Sequence, residues 1–106
     1  METNNKLIAE FMGGQKVLPD RDVYNMPTHN NLCYGLDEMK YHTSWDWLMP
    51  VVEKIEDMGS EIVITNAECT ISAPNGYYEE TIGKTRFGAT HTAVVQFIEY
   101  YNNLNK

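Results

Sequence analysis

Basic side chains are scarce in this chain: 8 Lys and Arg stand against 15 Asp and Glu in 106 residues, giving a formal net charge of −7. Sequence-independent binding to nucleic acid rests on cations that neutralise phosphates, so DNA or RNA polymers are not expected partners. Apolar runs are short as well. None approaches the roughly 20 residues that cross a bilayer, and the opening Met1-Glu2-Thr3-Asn4-Asn5-Lys6 has no apolar signal core. The expectation is a cytoplasmic protein without membrane contact. Cysteine is limited to Cys33 and Cys69, without C-x-x-C spacing, so a disulfide or thiolate metal site has little support and both read as buried free thiols. His29, His42, His91 and Asp46 lack the spacing of a metal motif, so no metal and no other cofactor is expected. No Ser-His-Asp or Cys-His arrangement can be argued from residue order. The acidic groups Glu53/Glu56 and Glu79-Glu80 read as solvated faces, so the expectation is a binding protein and not an enzyme.

What is present describes one globular domain over residues 1–106, with 42% hydrophobic and 22% charged residues. Leu7, Ile8, Phe11 and Met12 recur at helical spacing from Thr3 onward, and Gly13-Gly14 supplies a left-handed stop. Residues 15–40 show neither period, and with Pro19, Pro27 and Gly35 they read as a long irregular connection with one short strand around 16–18. A second helix follows Thr43 or Ser44 as N-cap, carries Trp45, Leu48, Met49, Val52, Ile55 and Glu56, and closes at Gly59. Pro50 lies inside it and predicts a kink or a wide first turn. Period-two alternation then gives strands over 61–66 and 68–73. Asn75-Gly76 marks a hairpin turn in which both residues tolerate positive φ, and a third strand covers 77–82. Phe87, His91, Val94, Ile98 and Tyr101 form the stripe of a last helix that ends near Asn102-Asn103. The fold class is therefore α+β, in the order α-α-β-β-β-α, with three helices packed on an antiparallel sheet of three or four strands.

One local feature stands out chemically. At Ile82-Gly83-Lys84-Thr85-Arg86 a strand leaves through Gly into a helix start, where backbone N–H groups, the positive helix end and two cations suit an anion. The plainer alternative makes Thr85 an N-cap and leaves Lys84 and Arg86 solvated. Gly83-Lys84-Thr85 is not a Walker A ending, because the glycine required five residues earlier falls on Tyr78. Aromatics are the second feature: with Trp45 and Trp47 two apart, the rings leave a helix in different directions and cannot both enter one core. Trp47, Tyr77 and Tyr78 are candidates to stack on a base, against the alternatives of core, rim or subunit interface. His91 lies on the last helix's stripe, where a core-edge role competes with ligand contact.

Three segments resemble a known group. Asn5-Lys6-Leu7-Ile8-Ala9-Glu10-Phe11-Met12-Gly13, the run from Tyr41-His42-Thr43-Ser44-Trp45 to Val52-Glu53-Lys54-Ile55-Glu56, and the run from Ala89-Thr90-His91-Thr92-Ala93 to Glu99-Tyr100-Tyr101-Asn102 are similar to small phage and prophage proteins of gut Bacteroidetes. That group is similar in layout to phage ABA-sandwich domains. The resemblance implies a phage accessory protein of the host-cell cytoplasm that counters host defence. One class of such proteins sequesters nucleotide second messengers as homo-oligomeric sponges. Joined to the residue reading, this gives the expectation of a homo-oligomer that binds a small anionic nucleotide ligand through Lys84, Thr85, Arg86, Trp47, Tyr77, Tyr78 and His91. The competing expectations are an adaptor or inhibitor that meets a host protein through an exposed aromatic and an acidic surface, and a small nucleotide hydrolase.

Overall fold

The computed structural model describes residues 2–104. Helix α1 spans Glu2–Phe11, and Gly13 follows at φ +88°, the left-handed stop that its sequence promises. From the far side Lys54 donates to the Phe11 carbonyl and lies 4.7 Å over the Phe11 ring, tying this helix end to the middle of the chain.

The short strand expected around 16–18 is present, but the rest of residues 15–40 departs from the expected irregular connection. Together these residues form an antiparallel meander of β1 (Gln15–Leu18), β2 (Arg21–Met26) and β3 (Leu32–Gly35). The strands escape the period-two test because β1 is exposed along its length and β2 buries only Tyr24 and Met26. Both prolines sit in turns and interrupt no ladder: Pro19 lies between the paired Leu18 and Arg21, and Pro27 opens a 3-10 turn. Asn30 and Asn31, at φ 59° and 60°, reverse the chain into β3. Cys33 is exposed on this edge strand, contrary to the buried thiol expected, whereas Cys69 is buried as expected.

Helix α2 (Trp45–Asp57) begins after Ser44, runs unbroken through Pro50, and stops before Gly59 at φ +98°. Three strands follow, β4 (Glu61–Thr65), β5 (Glu68–Ser72) and β6 (Tyr78–Ile82), joined as a second antiparallel sheet. The β5–β6 hairpin closes with Ala73 N–H on the Tyr77 carbonyl at 2.8 Å and Gly76 N–H on the Ala73 carbonyl at 3.1 Å. Only Gly76 takes positive φ there. The loop is thus the three-residue form with a glycine bulge, and not the two-residue turn that Asn75-Gly76 suggested. Helix α3 (Arg86–Leu104) completes the chain.

The class is α+β as the pattern indicates, with two sheets of three strands in place of one and the order α-β-β-β-α-β-β-β-α. Helix α3 covers the inner face of the second sheet and also meets α1 and α2, while α1 reaches β2. One buried cluster joins them through Ile8, Tyr24, Met26, Leu48, Ile55, Ile71, Val94 and Ile98. Among the described residues no helix is long and apolar enough to cross a membrane.

Candidate functional site

The start of α3 is assembled by three chain segments. Gly83 N–H bonds the Ala67 carbonyl at 2.8 Å, which pins the exit of β6 to the tight turn between β4 and β5. A glycine is required there: a Cβ on Gly83 would come within 2.8 Å of the Ala89 nitrogen in the first turns of α3. Thr85 then caps the helix, its Oγ accepting from Gly88 N–H at 2.9 Å. The amides of Arg86 and Phe87 lie ahead of it in the first turn and have no partner within a helix. Trp45, the first residue of α2, closes the remaining side with its ring edge-on to Phe87 at 4.9 Å between centroids.

These pieces line one open cleft of about 620 Å³ formed by Trp45, Asn66, Ala67, Lys84, Thr85, Arg86 and Phe87. Lys84 and Arg86 are exposed. The single ion pair among the described residues is Lys16 with Asp22, so neither cation of the cleft is spent on a carboxylate. A second hollow, at the end of α1, contains Lys54 but also Glu10, and its ammonium is already committed to Phe11. It offers an anion less.

The other residues expected at the site fall elsewhere. Trp47 stands in an aromatic cluster that clasps α2 to the first sheet, stacked on His29 at 4.0 Å and edge-on to Tyr34 and Tyr41 at 5.0 and 5.1 Å. Burial lowers the His29 pKa, favouring the neutral ring that stacks there. Tyr77 stacks on Tyr100 at 4.0 Å, donates to Glu79, and is pushed upward in pKa by burial and then by that carboxylate. Tyr78 is exposed on the opposite end of β6 from Lys84, about 13 Å along the strand from Ile82. His91 is one turn beyond Phe87, the two rings nearly parallel at 6.4 Å. Its Nε2 is enclosed without a hydrogen-bond partner among the described residues, and burial followed by His42 lowers its pKa. His91 backs the cleft wall and does not line it.

Lys84, Thr85 and Arg86 are therefore brought together, and Trp45, Phe87 and Asn66 join them. The two-residue spacing of the tryptophans indicates that one ring leaves the core, but residue order does not choose between them. The choice follows from the Gly83–Ala67 bond and the approach of α2, both long-range. Among the described residues no three His, Cys, Asp or Glu side chains gather as a metal site requires. No protein-family model matches the chain, and no curated protein or solved structure does.

Proposed function

We propose that the chain binds a small anionic, nucleotide-derived ligand at the start of α3 and releases it unchanged. The supporting observation is the meeting of two uncommitted cations, Lys84 and Arg86, with the first amides of a 19-residue helix and the Trp45 ring in one cleft of an acidic chain. Phosphate oxygens would accept from Arg86 and from the amides of Arg86 and Phe87, with Lys84 as a point charge. Trp45, 36% exposed, offers a face for a base. Taken with the three phage-like segments, this reads as an anti-defence sponge in the host cytoplasm that sequesters a cyclic-dinucleotide or ADP-ribose type of immune signal as a homo-oligomer.

Calorimetric titration with a cyclic dinucleotide and with ADP-ribose tests the reading. Saturable binding of one of them is expected, with a melting shift equivalent to about 2.7 kcal/mol at a hundredfold excess over Kd. Arg86→Ala should weaken binding about tenfold or more, and the ligand should be recovered intact after long incubation. Absence of binding by every nucleotide tried contradicts the ligand class; a consumed ligand contradicts the non-catalytic role.

A further inference from the structure

We propose that Asn75 is a site of spontaneous deamidation and that Tyr100 governs its rate. Asn75 is the one asparagine of the chain that is followed by glycine. A following glycine has no Cβ to shield its backbone nitrogen, so that nitrogen can close a cyclic imide on the asparagine side chain, the reaction that makes such residues labile. Both residues are exposed, Gly76 sits at φ +100°, and nothing lies within 4 Å of the place a Cβ would take there. Solvent and room for the ring are therefore at hand.

The chemistry needs only water. Gly76 N gives up its proton to solvent and bonds Asn75 Cγ, while the side-chain nitrogen takes up a proton and leaves as ammonia. Water then opens the imide at one of its two carbonyls. One opening gives aspartate at position 75; the other gives isoaspartate, in which the main chain runs through the side-chain carbon. Either way a neutral amide becomes a carboxylate, with no change of oxidation state.

The fold opposes ring closure at three points. Gly76 N–H donates to the Ala73 carbonyl at 3.1 Å, so the attacking nitrogen must surrender a hydrogen bond before its proton. Asn75 Oδ1 accepts from Tyr77 N–H at 3.3 Å, and Asn75 Nδ2 donates to the Tyr100 hydroxyl. The carboxamide is thus held at both ends and cannot turn its carbon toward Gly76 without a local opening. Two of the three bonds belong to the turn itself. The third comes from α3, 25 residues away in sequence, where the Tyr100 ring is fixed by its stack on Tyr77 at 4.0 Å. Removing the hydroxyl while keeping the ring therefore removes one restraint and spares the rest. The turn lies at the opposite end of β6 from Lys84, so this inference does not rest on ligand binding at the α3 start.

The full-length parent and Tyr100→Phe are held in warm, mildly alkaline buffer, with and without denaturing guanidinium chloride, and conversion at each asparagine is followed by peptide mass spectrometry. In denaturant, position 75 is expected to convert ahead of every other asparagine. In the folded parent it should convert about tenfold more slowly or less, and Tyr100→Phe should speed the folded protein about fivefold, the worth of one hydrogen bond. Asn66, an exposed asparagine on another turn, should convert equally in both folded proteins, which separates a lost restraint from general loosening. A different asparagine converting first in denaturant, a folded parent as fast at position 75 as the unfolded chain, equal rates there in the folded parent and Tyr100→Phe, or a variant that speeds Asn66 as much as Asn75 would each overturn the proposal.

Discussion

Tyr41 is fully buried, and its hydroxyl has no hydrogen-bond partner among the described residues. Enclosing a hydroxyl without compensation costs about 1–3 kcal/mol, while its ring earns ordinary packing against Trp47. Tyr41→Phe should therefore raise the melting temperature by several degrees, about 4–8 °C per kcal/mol for a chain of this size. A fall would show that the hydroxyl is bonded. Cys69 makes a second residue-level test. Burial raises its thiol pKa to about 11 from 9.0, with Glu79 adding to the shift and a hydrogen bond with Thr90 opposing it. A folded value above the unfolded one means that this contribution is complete below pH 9.0 and disappears as pH climbs to about 11. Tyr24, raised to about 12 from 10.0 by burial and then by its hydrogen bond to Glu10, extends the loss upward. Urea midpoints measured across this range should decline with pH in the parent, and Cys69→Ala should decline less steeply between about 9 and 11.

Among the elements, the helices and the second sheet were legible because their burial is one-sided. Ile8, Phe11, Leu48, Ile55, Val94 and Ile98 each sit on a face that recurs at helical spacing, and Cys69 and Ile71 alternate with Thr70 and Ser72. Of the first sheet only β1 was legible, as the short strand around 16–18; β2 and β3 were not, since only Tyr24 and Met26 of β2 face the core and β3 exposes Leu32 and Cys33. The cleft was half legible. Lys84, Thr85 and Arg86 announce themselves by proximity to one another, but Trp45 and Asn66 reach them through tertiary contacts that leave no local mark. Element-level substitutions separate the scaffold from the ligand groups. Gly83→Ala places a methyl 2.8 Å from the Ala89 nitrogen, a backbone atom that cannot swing aside. It should lower stability by about 1–3 kcal/mol in chemical denaturation, through displacement of the β6 exit. Thr85→Ala removes the cap on Gly88 and should cost about 1 kcal/mol. Equal stability of either variant to the parent would show that the junction is not held as described.

For the whole molecule, an excess of carboxylates repels anions in general, so an anionic ligand needs a local field of opposite sign. Lys84 and Arg86 at the positive end of α3 provide one, and it is screened by salt, so affinity for a nucleotide should fall as ionic strength rises. Trp45 couples that cleft to α2, and Trp47 couples α2 to the first sheet, so two residues of one sequence motif serve different parts of the molecule. The most direct measurement is an amide and indole map of the 15N-labelled protein titrated with the cyclic dinucleotide or ADP-ribose that binds in calorimetry. Binding at the α3 start predicts the largest shifts at Thr85, Arg86 and Phe87 and at the Trp45 indole, with the Trp47 indole nearly still. Shifts centred on Trp47, Tyr77 and Tyr78, with residues 84–87 unmoved, would contradict the assignment of the ligand site.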